Sequence, residues 1–237
     1  MGCIAIIPAR GGSKRLPRKN ILPLAGHPII VHAIHIACAS GLFNQIIVST
    51  DDAETALIAE SVGARVIIRP DELATDEAHE LDACMHVLDI LKTEGKEPES
   101  FCVIYPTAAF LLKNDLKDSY QLLGQEPTAD VVMGVAEFPI HPYKALIAEK
   151  DGSYLKMMFP VECKQRSQLY PQAVASSGTF YWFRTDSFRS HKTYYPTRLK
   201  GYVLPSERAL DIDTAEDFYW AAKMLEAGVV ELEKSDS

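Results

Sequence analysis

Up to Tyr105 the chain alternates short apolar runs with segments whose apolar residues recur at helical spacing. That alternation restricts it to a mainly parallel α/β sheet with helices on both faces. Cys3–Pro8 is an apolar run suited to a buried strand, and Pro28–Ala39 carries Ile29, Ile30, Ala33, Ile34 and Ala37 at helical spacing, closed by Gly41. Strand Gln45–Ser49, helix Ala53–Val62 closed by Gly63, strand Arg65–Ile68, helix Leu81–Leu91 and strand Phe101–Tyr105 follow in turn. Beyond them, Asp130–Ala136 and Gly178–Arg184 read as strands, and Leu116–Leu123 and Asp213–Ala227 as helices. In sheets of this kind ligands sit at the carboxyl ends of the strands.

Residues 138–176 break the rhythm with four prolines, several aromatics and no long helical period. The segment reads as an insertion that leaves the sheet and returns at Gly178. The content of Tyr143, Tyr154, Met157, Met158 and Phe159 predicts a packed hairpin at a subunit interface rather than a bare surface loop. The whole 237-residue chain, 47% hydrophobic, fits a single domain, with a frayed tail after Gly228 that includes Glu231, Glu233 and Lys234–Ser237. No run of 18 apolar residues predicts a membrane span, and the N-terminus reads as a strand rather than a signal peptide. Five scattered cysteines lack C-x-x-C or zinc spacing. Cys3, Cys38, Cys84 and Cys102 lie in apolar patterns, so reduced thiols in a cytoplasmic core are expected.

A formal net charge of -8 argues against nucleic-acid binding. Yet residues 7–20, "IPARGGSKRLPRKN", gather Arg10, Lys14, Arg15, Arg18 and Lys19 with no acidic residue, directly behind the first strand. Basic charge confined to one loop of an acidic protein points to a small anionic ligand. Gly11 and Gly12 let backbone N–H groups approach such a ligand, Ser13 adds a hydroxyl, and Arg10, Lys14 and Lys19 balance phosphate charge. Neither a Walker A sequence nor G-x-G-x-x-G is present, so chemistry alone leaves the choice between a phosphate site and a solvated basic turn.

"DID" places Asp211 and Asp213 two residues apart, on one side of an extended segment whose Ile212 points to the core. Two hard oxygen donors suit Mg2+; read alone, Asp213 is equally a helix N-cap. Arg69 stands at a strand end and, read alone, is as readily a surface arginine before a proline turn. His141, beside prolines, reads as structural.

Six motifs in order, "IPARGGSKRLPRKNI", "GHPIIVHAI", "IIVSTDD", "GARVIIRPDELATD", "YPTAAFL" and "DIDTAEDF", together resemble the CMP-sialic-acid synthetase family of cytidylyltransferases from Ile4 to about Leu225. The resemblance implies a Rossmann-like sheet of the nucleotide-diphospho-sugar transferase type and a single reaction. CTP and a nine-carbon sugar acid give a CMP-sugar and pyrophosphate, with Mg2+ as cofactor. It implies that Arg10, Gly11, Gly12, Ser13, Lys14, Lys19 and Asn20 hold the triphosphate of CTP, and that Arg69, Ala74 and Asp76 line the cytosine pocket. It makes Asp211 and Asp213 the metal ligands and, with Lys19, the catalytic set. It implies that Lys144 and Arg166 clamp the sugar acid's carboxylate, and that the excursion makes a homodimer by reaching over the neighbouring active site. Arg15 and Arg18 are expected to be solvated.

Two departures refine the expectation. Sialic-acid enzymes of the family carry Gln-Pro-Thr-Ser-Pro where this chain has Tyr105-Pro106-Thr107-Ala108-Ala109. They carry Arg-Pro-Asn-Gly where it has Ala175-Ser176-Ser177-Gly178. "YPTA" and "SGTFYW" resemble the pseudaminic acid branch, and Tyr105 and Ala175 in place of polar side chains fit a less hydroxylated sugar acid. The resemblance thus implies a direct in-line attack by the C2 hydroxyl of pseudaminic acid on the α-phosphate of CTP, without a covalent intermediate. N-acetylneuraminic, legionaminic or eight-carbon acids are the rival substrates. A non-catalytic nucleotide-sensing module is the rival from another class.

Overall fold

Cys3, Ala5 and Ile7 point to one side of the first strand and Ile4 and Ile6 to the other, and every one of them is buried. A strand apolar on both faces must lie at the centre of a sheet covered on both sides. The computed structural model, which describes residues 2–75, 77–125, 128–150, 152 and 154–233, places it there.

In chain order the elements begin with β1 (Cys3–Pro8), the short ladder β2 (Pro23–Leu24) and β3 (His27–Pro28), α1 (Ile29–Ser40) and β4 (Phe43–Thr50). They continue with α2 (Ala53–Ser61), β5 (Arg65–Ile68), α3 (Glu80–Thr93), β6 (Ser100–Ile104), α4 (Lys113–Gly124) and β7 (Val131–Glu137). A hairpin of β8 (Leu146–Ala148) and β9 (Leu155–Met157) is followed by β10 (Val174–Arg184), α5 (Thr185–His191), β11 (Leu199–Val203) and α6 (Ala215–Glu226). The main sheet has seven strands in the order β11-β7-β10-β6-β1-β4-β5. All its neighbours pair in parallel except β10, which runs antiparallel to both β6 and β7. Ile30, Ile34 and Ala37 of α1, Ala59 of α2 and Leu116 and Leu123 of α4 cover one face. Leu81, Cys84, Val87, Leu88 and Leu91 of α3 and Phe188 of α5 cover the other. The mainly parallel α/β sheet expected from the alternation is the fold observed.

Several expectations need correction. The chain rejoins the sheet at Val174, not Gly178, because Val174, Ala175 and Ser176 already pair with Glu137, Ala136 and Val135 of β7. The excursion does form a hairpin, but Leu146, Ile147, Leu155 and Met157 on its strands are more than half exposed in the single chain. Helix α6 begins at Ala215 because Thr214, not Asp213, is its N-cap: Asp217 accepts from the Thr214 N–H at 2.8 Å and Thr214 Oγ1 accepts from the Asp217 N–H at 3.2 Å. The tail is not frayed from Gly228: Val230 is buried, and Glu233 accepts from the Lys113 N–H at 2.9 Å. The expectation for Lys234–Ser237 lies outside the described residues. All five cysteines are free thiols, Cys3, Cys84 and Cys102 buried as expected and Cys38 exposed on its helix. Among the described residues no helix is long and apolar enough to cross a membrane.

The core carries one polar anchor with a testable cost. Trp182 of β10 lies between Phe43 and Tyr120 and donates its indole N–H to Ser119 Oγ at 2.9 Å, with both residues buried. Ser119→Ala leaves that donor unpaired and is expected to lower stability by about 1–3 kcal/mol. Chemical denaturation checks the loss; an unchanged midpoint would show that the indole finds another acceptor.

Candidate active site

The basic loop leaves β1 at Pro8, and the packing fixes its course. Leu16, midway along it, is buried in a cluster with Leu24, Ile29, Phe110, Ile212 and Val230. The Gly11 N–H donates to Asp51 Oδ1 at 3.0 Å, Asn20 Nδ2 donates to the Arg10 carbonyl at 2.9 Å, and Arg10 Nη1 reaches the Thr75 carbonyl at 2.7 Å. A loop fastened at these points presents its cations to a ligand without first having to order itself.

Those cations face a cleft of about 790 Å3, lined by Arg10, Gly12, Ser13, Lys14, Arg15, Lys19 and Asn20 on the loop side. The cleft lies over the carboxyl ends of β1 and β6, where the sheet order turns back on itself. Gly11 is the exception within the loop. Its N–H is engaged by Asp51 rather than offered to the cleft, and a side chain there would press against Asp52 Cβ at 2.8 Å. Its glycine is needed for that close approach, and Gly11, expected to hold phosphate, is not among the residues lining the cleft. Arg18 points away, paired with Glu54. Arg15 is not merely solvated: it donates to Asp213 Oδ2 at 2.6 Å.

Across the cleft stand Asp211 and Asp213. Ile212 between them is fully buried beneath α6, which turns both carboxylates outward as the alternation requires. Asp213 receives Lys19 Nζ at 2.7 Å besides Arg15, so its side chain is committed to the loop and does not cap the helix. Asp211 is hemmed in differently. The β10 strand bulges between Ser176 and Tyr181, with Gly178 at φ 65°, and a Cβ on Gly178 would lie 2.7 Å from Asp211 Oδ2. Glycine is required there both for the backbone angle and for the space. The Asp211 side chain opens onto the cleft, yet the surrounding protein and then the Asp213 charge push its carboxyl up to about 6, against the pull of Lys19 and Arg15. Among the described residues no three His, Cys, Asp or Glu side chains converge as ligands. Two hard carboxylates on one side of the cleft, that of Asp211 crowded enough to resist ionisation, suit a divalent cation that completes its shell with water and phosphate oxygens.

At the base of the cleft Arg69 is buried, its Nη2 donating to the Ser49 carbonyl at 2.9 Å. Burial lowers its guanidinium from the ordinary value, with Asp51 opposing. Among the described residues Arg69 Nε and Asn20 Oδ1 are buried without a hydrogen-bond partner. Polar atoms of this kind are stabilised when a ligand or ordered water completes their bonding. Ala78 rather than Ala74 lines the cleft together with Arg69; Ala74 and Thr75 line a second groove along the basic loop. Asp76 lies outside the described residues.

Tyr105, Pro106 and Thr107 at the end of β6 form another wall with Ser176, Gly178, Tyr181 and Tyr195. Glu80 at the start of α3 closes it. Of these, only Tyr105 was legible as a site residue. Lys144 and Arg166 do not line the cleft of their own chain; both are exposed on the excursion. His141 there is structural, as read: its Nδ1 accepts from the Tyr143 N–H and its ring packs on Tyr143 and Tyr170.

Comparison with known proteins bears on the family and the fold. The family described as Cytidylyltransferase matches residues 4–226. A pseudaminic acid cytidylyltransferase of Campylobacter jejuni is 32% identical over 92% of this chain and 94% of its own length. A CMP-N,N'-diacetyllegionaminic acid synthase of Legionella pneumophila is 29% identical over 95% of this chain and 97% of its own. An N-acylneuraminate cytidylyltransferase of Escherichia coli is also 29% identical over 91% of this chain, which spans 50% of that longer protein. Among solved structures, a CMP:2-keto-3-deoxy-manno-octonic acid synthetase complexed with CTP superposes with a TM-score of 0.70 over 96% of this chain and 100% of that one, at 16% identity. The match runs through the whole seven-stranded sheet and the loop behind its first strand, and the chain belongs to the cytidylyltransferase family of nucleotidyltransferases.

Proposed function

We propose that this chain activates a nonulosonic acid, pseudaminic acid in particular, by Mg2+-dependent transfer of the cytidylyl group of CTP with release of pyrophosphate. The observation that carries the reading is a single cleft in which a fastened cationic loop faces the Asp211/Asp213 pair and a tyrosine-lined wall. The relatives named for pseudaminic acid, aligned over nearly the whole chain, support the choice of sugar.

The reaction is an in-line displacement. The C2 hydroxyl of the sugar acid attacks the α-phosphorus of CTP, and the bond to the bridging oxygen of pyrophosphate breaks. Arg10, Ser13, Lys14 and Lys19 bind the triphosphate and balance the charge that grows on the leaving group. Arg69 and Asn20 complete their hydrogen bonding with the nucleotide. Asp211 and Asp213 would hold the metal, which would supply Lewis-acid stabilisation of phosphate charge. Lys19 then exchanges its bond to Asp213 for one to phosphate. The expected homodimer brings Lys144 and Arg166 of one subunit to the sugar acid in the other.

Pyrophosphate release tests the reading. Wild-type protein with Mg2+ and CTP is expected to turn over pseudaminic acid faster than legionaminic, N-acetylneuraminic or eight-carbon acids, and to reject ATP. Equal turnover with ATP would contradict the pyrimidine pocket, a faster rival acid would reassign the sugar, and no release with any acid would favour the sensing module.

A further inference from the structure

Glu80 opens α3 and places a carboxylate in the same wall as Tyr105. Its Oε1 accepts from Tyr105 Oη at 2.7 Å and from Tyr194 Oη at 2.8 Å, while the two phenols stand 3.2 Å apart. Oε2 is 4.0 Å from His79 Nδ1, too far for a hydrogen bond. The side chain remains 37% exposed although both tyrosines are largely enclosed. Two phenol donors converging on one oxygen orient a carboxylate on the lining of the cleft, and no side chain among the described residues donates to its other oxygen. A purely structural acid at a helix start would need neither tyrosine, because the helix N-terminus already favours negative charge there.

The wall continues from Glu80 toward Asp211. Tyr105 and Tyr194 both pack on Tyr181, with ring centroids 5.8 and 4.3 Å away. Tyr181 Oη bonds Ser176 Oγ at 2.6 Å, and Ser176 lies beside Gly178, whose backbone abuts Asp211. This aromatic strip connects Glu80 with the place where the attacking hydroxyl must sit. An anionic group in it repels the sugar acid's own carboxylate and favours whatever donor the sugar presents at its far end.

We propose that Glu80 is a specificity-determining residue for the sugar acid, its carboxylate held by the Tyr105 and Tyr194 phenols and accepting a hydrogen bond from an N–H or O–H of that acid remote from the acid's carboxylate. The inference rests on the reading of the cleft as a site for CTP and a nonulosonic acid. Glu80→Gln keeps the volume and can still accept from the phenols, but turns the other oxygen into an N–H donor. Loss of a hydrogen bond to a charged acceptor is expected to raise KM for pseudaminic acid roughly 10- to 100-fold, with KM for CTP within about twofold.

The experiment is steady-state kinetics of pyrophosphate release by the Mg2+-loaded protein, varying each substrate in turn, with a thermal melt of each variant. Tyr194 does not line the cleft, so Tyr194→Phe loosens the carboxylate without touching the ligand. It is expected to raise the sugar-acid KM by a smaller factor than Glu80→Gln, again sparing CTP. An unchanged sugar-acid KM in Glu80→Gln overturns the proposal, and so does a rise in CTP KM alone, which would give the carboxylate to the ribose hydroxyls. Should Glu80→Gln not fold, an unchanged sugar-acid KM in Tyr194→Phe overturns it instead. Absence of turnover by the wild type with every nonulosonic acid overturns the parent reading; wild-type turnover with an unmoved Glu80→Gln overturns this inference alone.

Discussion

Asp211→Ala is expected to cut turnover by about a hundred- to a thousandfold, the scale on which removal of a preorganised electrostatic group acts, while CTP still binds. The separation follows from where the charges lie. The residues proposed to bind the triphosphate, Arg10, Ser13, Lys14 and Lys19, are all on the loop side of the cleft, whereas Asp211 stands across from them beside the Gly178 bulge. Its contribution is largest when charge is greatest, at the transition state. Lys19→Ala, by contrast, should weaken CTP binding and rate together, by about 2–4 kcal/mol in all, and by more than Arg18→Ala, because Arg18 is paired with Glu54 away from the cleft. Near-normal turnover in Asp211→Ala would move the metal site elsewhere.

The same residue has an opposite effect on stability. Burial in the cleft and the neighbouring Asp213 raise the Asp211 carboxyl to about 6 in the folded chain, against about 4 when unfolded. In the metal-free protein its ionised form therefore destabilises the fold. Below about pH 4 both states are protonated and the penalty is absent. It grows as pH rises to the folded-state value near 6 and is complete above it. Asp211→Asn, which imitates the protonated form, should melt like wild type at low pH and at a higher temperature than wild type near neutrality, provided a chelator is present. A wild type that stays equally stable across that range would show the carboxylate to be relieved by water alone.

Much of the sheet was legible because its central strands are apolar on both faces and its longer helices repeat apolar residues at helical spacing. β11 was not: Leu199 and Val203 of this edge strand are exposed and only Lys200 and Tyr202 turn inward, so no buried alternation marks it. The seven residues of α5 are too short for a periodic signal. In the site, residues supplied by contiguous motifs were readable, as with the loop from Arg10 to Asn20 and the Asp211/Asp213 pair. Residues whose role depends on a distant partner were not. Glu80 reads as an ordinary first-turn helix acid until Tyr105 and Tyr194, 25 and 114 positions away, are seen to donate to it. Arg15 reads as one more loop cation until Asp213, 198 positions on, meets it. Gly178 reads as a strand start, and only the bulge against Asp211 shows why it has no side chain.

Substituting Leu146 and Leu155 together by aspartate is expected to convert a dimer into monomers and to remove sugar-acid turnover by at least about a hundredfold, while CTP binding survives. Both side chains lie on one face of the hairpin, since Leu146 pairs with Met157 and Ala148 with Leu155. They are 55% and 64% exposed in the single chain, and Ile140, Val161 and Leu169 nearby are exposed to a similar degree. Exposed apolar side chains gathered on one excursion are normally covered by a partner, and a twofold dimer is the commonest solution. Because the two leucines contribute so little to the chain's own core, charges placed there should disturb association rather than folding. The loss of turnover follows from Lys144 and Arg166, which sit on the same excursion and do not reach their own cleft. Light scattering at micromolar concentration and the pyrophosphate assay read the two effects separately, and a fully active monomer would refute both. Mixing decides which subunit supplies the lysine. Lys144→Ala and Asp211→Ala chains are each expected to be inactive alone, but a heterodimer of the two contains one site with Asp211 from one chain and Lys144 from the other. After random exchange of subunits about a quarter of wild-type activity should return; none returns if Lys144 serves the cleft of its own chain.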